Sequence, residues 1–289
     1  MRILSKRGKE FIMSEQEKIY PFTNDVIFEA VMQDESIARK IISVILGRKV
    51  EKIKNYTTQK DKKVSKASHG VRFDLYFEDD EAVYDVEMQN CSAFDMGRRC
   101  RYYQSMIDTD ILKASEDYDN LKDSYIIFLC TYDPFKLDKP IYTFESICTD
   151  DAKCTIENAL KLETGAKVVI CNALAYNKAN RDLRGLLKYL TTHKVEKDNA
   201  FIEQIDEAVQ FANENAEVRS AAMNSDLKIL DAKKEGISKG IEIGMERGKK
   251  QGIKQEQAKL INVLNLEDVG LSENQKRALI KKFTLQTDQ

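Results

Sequence analysis

Apolar residues recur at helical spacing near the start of the chain, between Thr23 and Gly47, with an acidic break at Asp34 and Glu35. This period predicts one or two helices that end at Gly47, because glycine often occupies the position just after a helix. The following segment, 49–58, alternates apolar residues with lysine and fits an edge strand only loosely.

The strongest β pattern is the segment 71–89, VRFDLYFEDDEAVYDVEMQ, in which two β-branched and aromatic runs flank an acidic turn. This pattern predicts a hairpin. Since side chains alternate between the faces of a strand, a register that pairs Phe77 with Tyr84 gives one apolar face: Phe73, Leu75 and Phe77 opposite Met88, Val86 and Tyr84. The other face is polar: Arg72, Asp74 and Tyr76 opposite Gln89, Glu87 and Asp85. Asp74 therefore lies across from Glu87.

The rest of the chain alternates further helices and strands before becoming entirely helical. A helix is predicted over about 95–118, and the apolar run at 124–132 predicts a central strand in a covered sheet. Shorter strands are predicted at 141–148 and 167–172. After residue 180 only helices are predicted, at 180–192, from 198 onward and at 272–283.

Composition narrows the class of protein. With 46 Lys and Arg against 48 Asp and Glu, the formal charge of −2 means that any basic surface must be local. No stretch approaches the roughly 20 apolar residues that span a bilayer, so we expect a cytoplasmic protein without a membrane partner. The six cysteines contain no CxxC pair, and His69 and His193 belong to no metal-binding motif, which disfavours zinc hydrolases.

Asp74 and Glu87 are the candidate site. Two carboxylates on a rigid hairpin, beside the backbone carbonyl of Met88, suit Mg²⁺ or Mn²⁺, which prefer oxygen ligands. Gln89 lies two residues beyond Glu87 and points to the same face, where it could orient a water or a phosphate oxygen. The alternative interpretation is that this polar row is the solvated face of a hairpin.

A family resemblance favours the first interpretation. The order helix, three strands, helix, strand, with Asp on the second strand and Glu-x-Gln on the third, resembles the PD-(D/E)XK nuclease core. More closely, five segments resemble the Rpn family of recombination-promoting nucleases, or PD-(D/E)XK nuclease family transposases: TNDVIFEAVM (23–32), HGVRFDLYFEDDEAVYDVEMQ (69–89), RCRYYQSMID (99–108), LKDSYIIFLCTYDPF (121–135) and PIYTFESIC (140–148).

The resemblance implies a metal-dependent DNA endonuclease with an α/β, restriction-endonuclease-like fold, a mixed sheet flanked by helices. Asp74 matches the metal-binding aspartate, Glu87 the second carboxylate, and Gln89 the place of the superfamily's lysine. Asp25 matches the family's N-terminal NDxxF motif. Glu29 is the local counterpart of an acidic ligand that some superfamily members carry on the first helix, although relatives often have Lys there. DNA cleavage is better supported than strand joining, because no DDE-type triad is identified from spacing.

The glutamine at position 89 is a departure from the superfamily. A lysine there would offer a positive charge to the transition state, whereas a neutral amide offers only hydrogen bonds. Activity would then be weak or would depend more on the metal. Arg72, across from Gln89 in the predicted register, is a candidate substitute charge; the alternative is that Arg72 pairs with Asp74 or Asp85.

Local positive charge is available for DNA. Eight basic and two acidic residues lie between Arg48 and Lys66, just before the hairpin. Phosphate contacts supply most non-specific affinity for DNA, although the same segment could be an ordinary solvated loop. The candidate DNA-binding residues flank the carboxylates and include most of the RYYQ segment at 101–104: Arg72, Arg98, Arg99, Arg101, Tyr103 and Gln104. Tyr102 is the other candidate for stacking.

The C-terminal region carries glycines at strict four-residue spacing: Gly236, Gly240, Gly244, Gly248 and Gly252. Each glycine costs a helix about 1 kcal/mol relative to alanine, so this stripe is either a close-packed seam between copies or a solvated tether. We expect a nuclease-like domain at 14–195 and a helical region at 196–289 that serves either as a homo-oligomer contact or as a tether. The alternative function is a catalytically inactive nuclease fold that serves as a DNA-binding or protein-interaction module.

Overall fold

A computed structural model describes residues 18–50, 53–62, 70–91, 95–148, 161–264 and 270–285. His69, and the residues Lys52, Lys63 and Lys66 of the basic segment before the hairpin, lie outside these ranges.

The chain begins with two capped helices, α1 (Asp25–Val31) and α2 (Glu35–Leu46). The side chain of Asn24 accepts the first free N–H groups of α1, and Asp34 does the same for α2, as N-cap residues do. Gly47 follows α2 with φ +64°, a left-handed conformation that glycine adopts without strain. The predicted end at Gly47 is confirmed.

Within the described ranges the strands form one six-stranded mixed sheet in the order β1-β2-β3-β4-β6-β5. The β3–β4 and β4–β6 pairs at the centre of the sheet are parallel. The β1–β2, β2–β3 and β5–β6 pairs are antiparallel. The strand bounds are β1 Asn55–Lys62, β2 Val71–Glu78, β3 Ala82–Gln89, β4 Asp123–Cys130, β5 Ile141–Phe144 and β6 Ala166–Asn172. The predicted α/β class, with a mixed sheet flanked by helices, is confirmed.

Helices cover both faces of this sheet. On one face α1, α2, α4 (Arg181–Thr192) and α5 (Ala200–Glu214) share a core with the side chains of Leu75, Phe77, Tyr84 and Val86. On the other face α3 (Met96–Ile111) packs on Phe73, Val83 and Phe128. The central strand β4 is buried from Ser124 to Cys130, as its apolar run predicted.

Several elements begin or end at residues other than those predicted. The edge strand is Asn55–Lys62 rather than 49–58, since it pairs with the full length of β2. Helix α3 ends at Ile111 because Leu112 turns to an extended conformation, φ −85° and ψ 117°. Strand β5 is shorter than predicted and ends at Phe144.

The hairpin register is confirmed over four pairs, from Leu75↔Val86 to Glu78↔Val83, and includes Phe77↔Tyr84. The expectation that Phe73 shares the face of Leu75 and Phe77 is wrong. Phe73 packs instead in the core beneath α3. The pairing of β2 with β3 stops at Leu75. Phe73 lies beyond the last pair, so hydrogen bonding to β3 does not fix which face its side chain occupies.

The chain divides into two compact units, residues 1–225 and 226–289. Ile202, Ile205 and Val209 of α5 belong to the core of the first unit. The remaining helices are α6 (Ala216–Leu264) and α7 (Glu273–Leu285). Among the described helices, none is both long enough and apolar enough to cross a membrane.

Candidate metal and active site

Asp74 and Glu87 meet where the β2–β3 ladder ends. The backbone N–H of Asp74 donates to Oε1 of Glu87 at 3.1 Å, and the N–H of Met88 donates to Oδ2 of Asp74 at 3.2 Å. Each carboxylate therefore accepts a hydrogen bond from the backbone of the opposite strand. This reciprocal arrangement fixes both side chains in place, and the predicted juxtaposition of Asp74 with Glu87 is what the structure contains.

The carboxylates lie under helix α3 and not on a solvated face. Val83, Asp85 and Glu87 follow one another at two-residue spacing, so they share the side of β3 that α3 covers. Glu87 is only 4% exposed. On its other edge β3 pairs with β4, where Glu87 lies beside Phe128. A polar hairpin face thus becomes a buried polar site once the helix that follows it packs against it.

Arg99 of α3 joins the candidate residues. Its Nη1 donates to Oε1 of Gln89 at 2.9 Å, and its Nη2 lies 3.4 Å from Oε2 of Glu87. The same Nη2 donates to the hydroxyl of Tyr103 at 3.3 Å. The guanidinium also lies 5.4 Å from the ring centroid of Phe128, within the range of a cation–π contact. Arg99 is therefore the positive charge beside Gln89.

The candidate charge Arg72 is placed differently. Its backbone pairs with Asp61 of β1, and the described pairing of β2 with β3 does not reach it. Arg72 is exposed, yet its charge still lowers the pKa of Asp74. The predicted Arg72–Gln89 pairing is not observed, because the ladder ends before these residues.

Asp85 is the residue that sequence reasoning missed. Its side chain is fully buried and interacts directly with the carboxyl group of Glu87, while no N–H or hydroxyl donor among the described residues reaches it. Burial raises the pKa of Asp85 well above its usual range, and the charges of Glu87 and Asp74 raise it further. In the sequence Asp85 is only one member of a polar row, since no neighbouring residue indicates that α3 covers it.

The carboxyl groups depress one another's ionisation. Burial raises the pKa of Glu87 to about 8, with the charge of Asp74 as the second cause. Burial also raises the pKa of Asp74 to about 6, assisted by the charge of Asp25, while the Met88 N–H and Arg99 oppose the shift. Like charges in a poorly solvated site favour protonated forms, and the positive charge of Arg99 opposes these shifts without cancelling them.

The start of α1 approaches the same site. The charge of Asp25 acts on the pKa of Asp74, and the side-chain amide of Asn90, just after β3, donates to the carbonyl of Thr23 at 2.5 Å. Glu29 lies one turn further along α1 and is half-buried. Asp25, which the resemblance matches only to the NDxxF motif, therefore lies near enough to Asp74 to act on its ionisation.

The other predicted residues divide into two groups. Arg98 and Arg101 are exposed on α3, next to Arg99, and Tyr103 packs edge-on against Phe73 at 5.4 Å. Gln104 is not brought to the carboxylates: its amide donates to Asp108 at 2.9 Å and to Ser124, at the far end of β4, at 2.5 Å. Gln104 thus ties α3 to the sheet. Tyr102 is half-buried and packs against the same core.

The basic segment 48–66 is not gathered around the carboxylates in its described part. Lys54 pairs with Asp80 near the hairpin turn, and Lys60 pairs with Asp110 at 2.6 Å. In the portion of the chain that the structure describes, no group of three His, Cys, Asp or Glu residues is arranged to hold a metal ion. The metal hypothesis therefore depends on Asp74 and Glu87 with backbone and water oxygens.

Comparison with known proteins places this site in a family. No match was found among curated proteins or among solved structures. The sequence model of the family described as PD-(D/E)XK nuclease family transposase matches residues 23–240, from α1 through β2, β3 and α3 into α6. This match covers well over half of the 289 residues and includes both carboxylates. The chain therefore belongs to the PD-(D/E)XK nuclease family transposases.

Proposed function

We propose that this protein is a metal-dependent DNA endonuclease that hydrolyses phosphodiester bonds, linked to recombination or mobile elements. The observation that carries the proposal is the reciprocal pairing of Asp74 with Glu87 across β2 and β3. Family membership supports a nuclease fold. The choice of DNA and of a divalent metal is the proposal's own step.

The residues present fit Mg²⁺ or Mn²⁺. Asp74 and Glu87 offer hard carboxylate oxygens, and we propose the backbone carbonyl of Met88 as a third oxygen ligand. Water would complete the coordination of the metal ion. Burial and repulsion by neighbouring carboxylates raise the pKa values of both carboxyl groups in spite of Arg99, and a bound divalent cation would favour their ionised forms. When bound, such a cation lowers the pKa of a coordinated water and neutralises charge on a phosphodiester.

The chain's own residues would orient the substrate. Gln89 is held at both ends of its amide, since Oε1 accepts from Arg99 at 2.9 Å and Nε2 donates to the carbonyl of Cys91 at 2.7 Å. The amide therefore has a fixed direction and one remaining N–H for a water or a phosphate oxygen. Arg99 carries a permanent charge beside Glu87 and stabilises negative charge that develops near it. The exposed Arg98 and Arg101 on the same helix would hold the DNA backbone.

A supercoiled-plasmid cleavage assay tests this function. The full chain is incubated with Mg²⁺, Mn²⁺, Ca²⁺ or EDTA beside Asp74→Asn and Glu87→Gln, which keep side-chain size and remove charge. Asp119→Asn, an exposed carboxylate elsewhere, is the matched control. We expect cleavage by the parent and the control, and none by either site variant or in EDTA. An RNA of the same sequence run in parallel decides between the two nucleic acids.

Two outcomes would remove the proposal. If both site variants cut as well as the parent, the assigned site is wrong. If no metal supports cleavage while the parent still binds DNA, the catalytically inactive binding module is the correct description.

We also propose that copies of the chain associate through α6. Exposed isoleucines at Ile237 and Ile241 lie among the glycines of the stripe. A Cβ added at Gly240 or Gly244 would meet no atom within 4 Å, so this helix surface is uncovered in the chain. Close approach of a second helix would bury both the glycine backbone and the isoleucines.

A further inference from the structure

Tyr142 of β5 lies in the same row across the sheet as the candidate metal ligand Glu87. Glu87 of β3 is beside Phe128 of β4 in the sheet register. The row continues through Ile170 of β6 to Tyr142. Phe128, Ile170 and Tyr142 all belong to the core beneath α3. Because adjacent strands lie about 4.8 Å apart, Tyr142 is three strands, or about 14 Å, from Glu87 on the same face of the sheet.

An exposed pair of aromatic rings lies at this end of the row. The ring of Phe135 packs edge-on against Tyr142, with centroids 4.8 Å apart, and lies 5.4 Å from the ring of Phe144. Phe135 is 39% exposed and Phe144 is 46% exposed. Phe144 is the last residue of β5, the outermost strand of the described sheet. Both rings therefore offer apolar surface to solvent.

The loop that carries Phe135 has a fixed shape. The Asp133 carboxylate accepts the backbone N–H groups of Phe135 and Lys136 at 3.1 and 3.0 Å. It also accepts the N–H of Asp138 at 2.8 Å and the hydroxyl of Tyr142 at 3.0 Å. These bonds hold Lys136 and Asp138 in the left-handed region, with φ 56° and 53°. The chain itself therefore sets the position of Phe135 before any ligand binds.

The same loop begins at the candidate site. The backbone N–H of Thr131, directly after β4, donates to the carbonyl of Gln89 at 3.1 Å. Phe135 follows Thr131 by four positions, and a chain advances at most about 3.6 Å per residue, so the two lie within about 14 Å. Ligands of open α/β sheets bind beyond the carboxyl ends of the parallel strands. Gln89 and Phe135 therefore border the same edge of the sheet.

Charge on this loop is available to a ligand. The acidic side chains of Asp138 and Glu145 are each paired with a lysine. Lys136 and Lys139 are exposed, and the hydrogen bonds that they make use backbone atoms. Within the described part of the chain, neither of their ammonium groups forms an ion pair or a hydrogen bond. Two positive charges therefore accompany the exposed rings.

Aromatic rings flanked by lysines fit a single strand of nucleic acid. An aromatic side chain stacks on any base, and lysine binds the phosphates of the backbone. A base inside a duplex is already stacked on both sides, so only an unpaired base can reach a protein ring. An acidic protein surface would use the lysines alone, and an apolar partner would leave the lysines without counter-charges.

We infer that Phe135 stacks on an unpaired base of the DNA strand that is cut, with Lys136 and Lys139 on its phosphates. Stacked bases are spaced about 3.4 Å along a strand, so the distance of about 14 Å from Glu87 corresponds to about four nucleotides. The inference rests on the proposed function and names its substrate. That substrate is DNA with a single-stranded stretch beside the cut, such as a flap or a gap.

Binding of short strands to the full chain in EDTA tests this inference apart from cleavage. Fluorescence anisotropy compares an oligothymidylate with an abasic strand of the same length, which keeps the phosphates and lacks the bases. The variants are Phe135→Leu and Lys136→Gln/Lys139→Gln. The matched controls are Phe211→Leu, at a phenylalanine of α5 that is 76% exposed, and the exposed Lys194→Gln.

We expect the parent to bind the oligothymidylate about fivefold or more tightly than the abasic strand, because a stacked base contributes at least this much. Phe135→Leu should bind the two strands with nearly equal affinity. The double lysine variant should keep the preference but weaken both complexes. Its slope of log affinity against log salt should fall by about 1.4, or about 0.7 for each lost contact. Both controls should bind as the parent does.

A cleavage comparison in Mg²⁺ gives a second readout. The parent should cut a duplex with a single-stranded flap faster than a complete duplex, and Phe135→Leu should cut the two at similar rates. A folded Phe135→Leu that keeps the parental preference for bases would overturn the inference. So would association of copies, measured by sedimentation, that Phe135→Leu abolishes while strand binding is unchanged, because the surface would then be a contact between copies.

This inference and the proposed function fail separately. Asp74→Asn should bind both strands as the parent does and cut neither substrate. If no metal supports cleavage, the preference for the oligothymidylate and its loss in Phe135→Leu still support the strand contact. If cleavage depends on Asp74 while Phe135→Leu binds and cuts as the parent does, the nuclease assignment stands and the strand contact is wrong.

Discussion

Arg99 donates a 2.9 Å hydrogen bond to the side chain of Gln89, the residue that the family resemblance aligns with the superfamily's lysine. The positive charge that the third strand lacks is therefore supplied by the helix that follows it. Arg99 also lies 3.4 Å from Glu87, so a single guanidinium contacts both the amide and the carboxylate. A permanent charge held by two hydrogen-bonding partners can perform the electrostatic role of a lysine without being on the strand.

The first prediction concerns this charge. Arg99→Gln should lower the turnover of plasmid cleavage by about 10²-fold, the usual cost of removing one charge-stabilising donor. Single-turnover cleavage at saturating enzyme measures it. Arg98→Gln is the matched control, since Arg98 is exposed on the same helix. Arg98→Gln should weaken DNA binding with little change in turnover, and equal turnover in the two variants would contradict the role given to Arg99.

The second prediction is that the metal-free protein loses stability as pH rises. The pKa of Glu87 is raised from 4.5 to about 8 on folding, so between these values the folded protein binds more protons than the unfolded chain. Stability then falls with increasing pH across that window and is greatest near its acidic end. Glu87→Gln cannot ionise and should melt several degrees above the parent at pH 8, with a flatter pH profile.

Thermal melts in EDTA between pH 5 and 9 measure this effect. Asp85→Asn should act in the same direction, because Asp85 is buried beside Glu87 with no N–H or hydroxyl donor among the described residues and has a raised pKa. Asp119→Asn is exposed and should leave the profile unchanged. A parent protein that is most stable at pH 8 in EDTA would contradict the assigned pKa shifts.

The third prediction joins metal binding to the same carboxyl groups. Mg²⁺ or Mn²⁺ must displace the protons of Glu87 and Asp74, whose pKa values are about 8 and about 6. A ligand that binds only the folded state raises its stability in proportion to affinity. Added metal should therefore raise the melting temperature more at pH 8 than at pH 6, and not at all in Asp74→Asn. An equal rise in Asp74→Asn would place the metal elsewhere.

The hairpin could be predicted from sequence because its signal is local. Alternation and an acidic turn predict the pairing of Phe77 with Tyr84, and the register then brings Asp74 to Glu87. Family resemblance gave these residues their proposed role. The fold class followed from the order of periodic segments, which is also local information.

The environment of the site could not be predicted in the same way. Whether the polar face of β3 is solvated or covered depends on where α3 packs. The sequence of the hairpin does not determine the position of α3. The burial of Asp85 and the contact of Arg99 with Gln89 arise only from this tertiary packing. The resemblance to the RYYQ segment suggested Gln104 as a DNA contact, whereas only the packing of α3 reveals its hydrogen bonds to Asp108 and Ser124, which hold the helix on the sheet.

The last prediction separates the two interpretations of the glycine stripe. Gly240→Ala and Gly244→Ala should each stabilise α6 by about 1 kcal/mol, because an added Cβ meets no atom within 4 Å. Circular dichroism measures the gain in helicity. If copies associate with close backbone approach at these glycines, the same substitutions should weaken association, measured by sedimentation. Ser238→Ala lies on the same helix outside the stripe, so it should leave association unchanged. A gain in helicity with unchanged association would instead identify α6 as a solvated tether.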